Sequence, residues 1–131
     1  MKNSIIILSV LFLGCFAFSV NAQSINKKEK AVHIVLFKFK EGTTSEQIQS
    51  LKKEILKQKS IFPGILEISF GKDFTSRSKG FGYAEVAVFK NKKSLEAFNK
   101  SDYHQQLIAT HIRPILDDIL VLDYENKNDK N

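Results

Sequence analysis

The sequence predicts one α+β domain built on a four-stranded antiparallel sheet with its helices on one face. Three observations carry that prediction. The stretch His33 to Lys40 is rich in strand-forming residues and apolar on both faces; apolar residues then recur at helical spacing; and strand signals follow as a pair, then a helix, then a last strand. Only a mixed order of strand, helix, strand, strand, helix, strand accommodates these pieces.

In the first strand Val32, Ile34 and Leu36 share one side, while Val35, Phe37 and Phe39 share the other with His33. Neither side suits water, so the sheet is expected to be covered twice. After Glu41-Gly42, Thr43 and Thr44 precede Glu46 and Gln47 by three residues, the spacing of a capping box. Ile48, Leu51, Ile55 and Leu56 then predict an amphipathic helix over about residues 44–60, with Lys52, Lys53, Lys57 and Lys59 mostly on its wet side. Phe62-Pro63-Gly64 marks a turn into a second strand over residues 65–74, in which Leu66, Ile68 and Phe70 share a face. The polar run Asp73 to Lys79 is a loop. Residues 81–89 form a third strand, with Tyr83, Glu85 and Ala87 on one side and Ala84, Val86 and Val88 on the other.

Asn91-Lys92-Lys93-Ser94 opens a helix carrying Leu95 and Phe98, and a second helical piece starts at Ser101 or Asp102 and ends before Pro114. Residues 119–124 close the sheet. This is the split βαβ order of a ferredoxin-like βαββαβ sandwich, whose second sheet face is open. Because burying one Phe or Leu side chain is worth about 1.5–3 kcal/mol, the opening strand favours a second copy of the sheet stacked on the first. A homodimeric α/β barrel supplies it, with the seam expected at Val35, Phe37 and Phe39.

The ends of the chain bound localisation. Lys2, the apolar run Ile5 to Val20 and the small-residue exit Val20-Asn21-Ala22 read as a cleaved secretory signal over residues 1–22, so the mature protein is expected to be exported, to a periplasm or beyond, and free of the membrane. Cys15 after Leu13-Gly14 loosely resembles a lipoprotein site, but Phe12 and Leu13 fit it poorly. Residues 23–30 read as a disordered leader, 31–125 as the domain and 126–131 as a polar tail. Cys15 is the only cysteine and leaves with the signal, which excludes disulfides, a thiol nucleophile and thiolate metal ligands from the mature chain. The net charge of +6 suits an anionic ligand and equally suits lysines solvated on helix faces.

His33-Ile-Val-Leu-Phe-Lys-Phe-Lys40, Phe62-Pro-Gly-Ile65, Gly71-Lys72-Asp73, Ser101-x-x-His104 and Leu120-Val-Leu-Asp-Tyr124, in that order, resemble the stress-responsive dimeric α/β barrel (Dabb) domain. The resemblance implies the homodimeric barrel. Functionally it implies a diverse group: plant stress proteins, bacterial members without assigned activity, and a polyketide cyclase branch that closes an aromatic ring by aldol chemistry. In that branch a histidine matching His104 acts as general base with a tyrosine six residues earlier, where this chain has Phe98. Tyr103, about 100° away around the helix, does not replace the missing hydroxyl.

A second resemblance is to the RNA-recognition motif, whose aromatic signature Ser78 to Ala84 approaches with Phe81 and Tyr83. Ile34 and Val86 stand where that motif places further aromatics, and export removes most RNA partners, so nucleic acid is not the favoured partner; Phe81 and Tyr83 are expected in the barrel interior.

The expected ligand is a small, partly apolar molecule in a cleft walled by Leu36, Phe98, Ile108 and Ile112, with His33, Tyr83 and His104 as polar contacts and His104 as the candidate catalyst. Glu85 is read as exposed or paired with a lysine, ahead of the alternative of a buried acid facing the barrel interior. His104 and His111 lie two turns apart, about 10 Å, too far for one metal, and no phosphate loop or nucleophile elbow is present, so no metal or cofactor is implied.

Overall fold

The computed structural model describes residues 29–127. The signal segment, most of the leader and residues 128–131 lie outside the described residues. In order, the elements are β1 (Lys30–Phe39), α1 (Ser45–Ile61), β2 (Ile65–Lys72), β3 (Tyr83–Phe89), α2 (Lys92–Asn99), α3 (Asp102–Leu107), a π-helical turn (Ile108–Ile112) and β4 (Leu116–Asn126). The sheet order is β2-β3-β1-β4, every neighbouring pair antiparallel. This is the ferredoxin-like fold.

Local chemistry sets the element ends. Thr44 and Gln47 close the capping box of α1: the Gln47 N–H donates to Thr44 Oγ1 (3.2 Å) and the Thr44 N–H to Gln47 Oε1 (2.9 Å). Asn91 caps α2 by accepting from the Ser94 N–H (2.9 Å), and Ser101 caps α3 by accepting from the His104 N–H (3.2 Å). Gly64 is required by close approach: a Cβ there would stand 2.9 Å from Ser94 Cβ, so the turn before β2 seats directly on the start of α2.

The register divides the sheet's two faces. Val35 pairs with Glu85 and Val121, His33 with Ala87 and Asp123, and Phe37 with Tyr83 and Ile119, all on the face that carries the helices. Phe37, Leu51, Ile55, Phe70, Leu107 and Ile112 pack there as one core, and Ala87, Phe89, Leu95 and Phe98 belong to a second. The opposite face presents Ile34, Leu36, Ala84, Val86, Leu120 and Leu122, with no layer of the described residues over them.

Two expectations are corrected by this division. Val35 and Phe37 are not a seam between copies: Val35 is 5 % exposed and Phe37 not at all, because the helices of the same chain cover them, and Phe39 stacks on Phe37 at 5.8 Å. The strand ends also reach further than the apolar pattern. Lys30 pairs with Asn126 and Ala31 with Glu125, so leader and tail residues extend the ladder, whose backbone bonds do not need apolar side chains.

Candidate functional site

A cleft of about 230 Å³ opens between β4 and the segment running from α3 into the π-helical turn. Three strands and one helix each bring a titratable side chain to it. β1 contributes His33, β3 Glu85, β4 Asp123 and α3 His104. Val35, Phe37, Ile108, Ile112, Ile119 and Val121 make the walls apolar, and the amides Asn99 and Gln105 stand at its rim.

His33 is buried, and its Nδ1–H donates to Asp123 Oδ1 at 2.5 Å from the directly opposed position on β4. The carboxylate fixes the ring orientation and the tautomer. β1 is a central strand, between β3 and β4, so the pair spans two neighbouring strands. His104 is positioned by the Ser101 cap and lies against Phe98, ring centroids 4.2 Å apart. Its Nδ1 is buried without a hydrogen-bond partner among the described residues. Burial, with a smaller contribution from His33, pulls its pKa down to about 4, so the imidazole is neutral at pH 7.

Phe98 sits between the two imidazoles, edge-on to His33 at 6.4 Å, and is itself 1 % exposed, so it forms the packing beneath them rather than a wall open to ligand. It supplies no hydroxyl. Tyr103 points elsewhere, as its helical position requires: its hydroxyl donates to Glu54 on α1 (3.2 Å), and its ring meets Phe62.

Glu85 departs from expectation. It is 4 % exposed, has no lysine partner among the described residues, and leaves Oε1 buried without a hydrogen bond. Loss of hydration alone raises its pKa to about 7. The alternation of β3 puts Glu85 on a face with Tyr83 and Ala87; what the strand pattern lacks is the cover that α3 and the π-helical turn provide. Asp123 is the other cleft residue that sequence reasoning missed, and its signal is only visible once β4 is placed beside β1.

Leu36 and Tyr83 are not in this cleft. With Gly71, Phe74, Phe81 and Val86 they border a separate depression of about 370 Å³ at the β2–β3 end of the sheet. Leu36 is on the open face, one residue out of phase with Val35 and Phe37. Tyr83 stacks on Phe70 at 5.7 Å and tilts against Phe39 at 5.3 Å, on the helix side of the sheet. That location is neither the expected barrel interior nor a platform for stacking bases on the open face. Of the residues expected in the site, His33, His104, Ile108 and Ile112 come together, with Phe98 packed beneath.

The model of the Stress responsive A/B Barrel Domain (Dabb) matches residues 31–126. The chain belongs to this family. This Dabb domain is 30 % identical over 95 residues to a stress-response A/B barrel domain-containing protein of Arabidopsis thaliana, a match covering 70 % of this chain and 35 % of that protein. It thus spans about a third of that relative's length. A second stress-response A/B barrel domain-containing protein of the same plant is 26 % identical over 95 residues, covering 71 % of this chain and 86 % of that protein.

Solved structures agree on the fold. The hydroxynitrile lyase from Passiflora edulis superimposes with a TM-score of 0.71 at 23 % identity, over 79 % of this chain and 98 % of the lyase. A dimeric ferredoxin-like protein of unknown function from Thermobifida fusca gives 0.66 at 21 % identity, over 76 % and 92 % of the two chains. Among the described residues no group of three or more His, Cys, Asp or Glu side chains is arranged to hold a metal ion.

Proposed function

We propose that this Dabb domain is an exported homodimer that binds a small, partly apolar molecule in the cleft between β4 and the π-helical turn. One observation carries the binding reading: Glu85 Oε1 and His104 Nδ1, both buried and both without partners among the described residues, belong to side chains that line the same apolar cleft. An orphaned buried polar atom costs about 1–3 kcal/mol, and a ligand that satisfies either atom recovers part of that cost. The family's name and the names of the plant relatives support a role in stress. The apolar open face of the sheet and the dimeric description of solved neighbours support the homodimer.

A second reading is acid/base catalysis of the cyclase or lyase type with His104 moving the proton. Its unpartnered Nδ1 favours it, and the fold of the Passiflora edulis enzyme hosts lyase chemistry; a pKa near 4 leaves the ring unprotonated at pH 7 but a weaker base than one titrating near neutrality. Phe98 counts against a close copy of the cyclase arrangement.

Native mass spectrometry of protein recovered from its own compartment tests the main reading directly. Expected are a dimer, a mature chain starting at Gln23 and a retained small molecule; a monomer carrying oligonucleotide would overturn it. His104→Ala separates the two readings. Turnover of an identified ligand is lost in that variant if His104 is the catalyst, whereas a binding module keeps its ligand with weakened affinity.

A further inference from the structure

We infer that, within the ligand site proposed above, Glu85 selects small apolar molecules whose polar head donates a hydrogen bond or carries positive charge, and rejects carboxylates and phosphates. The inference rests on that site being a ligand site and concerns which chemistry it takes.

The charge of the chain and the charge of the cleft have opposite signs. The sequence holds 20 lysines and arginines against 14 acids, yet among the described residues no lysine or arginine lines the cleft. Its titratable groups are Glu85 from β3, Asp123 from β4, His33 from β1 and His104 from α3; opposite Glu85, β2 presents Phe70, and the π-helical turn presents Ile108 and Ile112. Asp123 is already engaged by His33 Nδ1–H. Glu85 is not engaged by any described side chain, and Oε1 is the free acceptor.

Glu85 and His33 are diagonal neighbours on one face of adjacent strands, about 7–8 Å apart along that diagonal. A polar head of a few atoms fits between them while the apolar body lies against Ile108, Ile112 and Val121. An ammonium or hydroxyl there gives Oε1 the donor it lacks. A carboxylate instead brings a third negative charge beside Asp123, at the open side of the cleft, and beside Glu85, which is 4 % exposed and whose repulsion is therefore poorly screened. Because Glu85 titrates near pH 7, preference for a cation strengthens as the pH rises through neutrality.

The test uses three probes with one apolar body and different heads: benzylamine, benzyl alcohol and benzoate, each titrated into the full chain. Ring signals of His33 and His104 report occupancy of the cleft, and the carboxyl carbon signal of Glu85 reports its ionisation. Benzylamine is expected to bind at least about tenfold more tightly than benzoate at pH 8. Its affinity should rise about tenfold between pH 6 and pH 8, following the ionised fraction of a group titrating near 7. Bound benzylamine should also lower the midpoint of the Glu85 carboxyl titration. Glu85→Gln keeps the shape of the side chain and should abolish both the pH-dependent gain and the preference for amine over alcohol.

Benzoate binding as tightly as benzylamine, or a pH-dependent gain that persists in Glu85→Gln, overturns the selectivity and leaves the ligand site standing. Probes that leave both histidine signals unmoved at millimolar concentration overturn the site itself. If Glu85→Gln does not fold, the carboxyl titration of the unaltered chain decides the matter: a midpoint unchanged by bound benzylamine refutes the inference.

Discussion

Glu85 and His104 place opposing demands on stability as pH changes. Glu85 has a folded pKa near 7, above the ordinary value of 4.5, so its protonated form suits the fold; stability is full below about 4.5 and falls as the pH rises toward 7. His104 has a folded pKa near 4, below its ordinary 6.5, so stability is full above about 6.5 and falls as the pH drops toward 4. Between about 4.5 and 6.5 the native state holds the Glu85 proton that the unfolded chain has lost, and lacks the His104 proton that the unfolded chain has gained. These contributions cancel, and the two groups together predict a flat profile across that window. Each single variant should tilt it, by about 1.4 kcal/mol per pH unit for one uncompensated proton. Glu85→Gln should gain stability as pH rises from 4.5 to 6.5, and His104→Gln should lose stability over the same range. Urea unfolding at four or five pH values checks both slopes, and parallel slopes in the two variants would refute the assignment. The two residues are unequally legible in the sequence. His104 stands out by its place after Ser101, whereas the strand pattern gives Glu85 a face but not an environment, because burial of a β3 side chain depends on helices more than ten residues further along.

Caps and turns are the elements most legible in the sequence, since their chemistry is local. Thr44 with Gln47, Asn91, Ser101 and the Phe62-Pro63-Gly64 turn all stand where their residue types require. Thr44→Ala removes the side chain that accepts from the Gln47 N–H and should cost about 1 kcal/mol, seen as a lower urea midpoint with an unchanged slope. Gly64→Ala should cost more, about 1–3 kcal/mol as overpacking does, because the new methyl meets Ser94 at the capped start of α2. A double variant, Gly64→Ala with Ser94→Gly, should recover the packing part of that loss. The π-helical turn is not legible. Apolar residues at 107, 108 and 112 fit an ordinary helix, and the wider turn is closed by the Arg113 N–H donating to Ile108 O at 2.9 Å, just before Pro114 interrupts the backbone. The widened turn sets both Ile108 and Ile112 against the cleft.

At the scale of the whole molecule, alternation in β1 announces two apolar faces but does not say which the helices cover. Ile34 and Leu36 alternate as regularly as Val35 and Phe37, and period two is blind to exchange of the faces. The structure settles this by packing α1 and α3 onto the side that holds Phe37. The remaining apolar strip, with Leu120, Leu122 and Tyr124 each about half exposed, is therefore the seam that the proposed homodimer would use. β4 adds an eleven-residue edge whose outer backbone groups are unpaired by any other described strand, and its apolar run from Ile119 to Leu122, set between Asp118 and Asp123, favours association. Leu122→Asp would bury a charge in the seam without touching the helix-side core, since Leu122 pairs with Ile34 on the open face. The expected result is a folded monomer: sedimentation velocity should show loss of the dimer, with the far-ultraviolet dichroism of the helices unchanged, while Tyr124 on the seam face reports the dissociation in the near ultraviolet. Phe37→Asp is the opposing control. It places the charge in the core of one chain and should unfold it rather than dissociate it, so a folded monomer from Phe37→Asp, or a dimer that survives Leu122→Asp, would return the seam to the face first expected from the strand pattern.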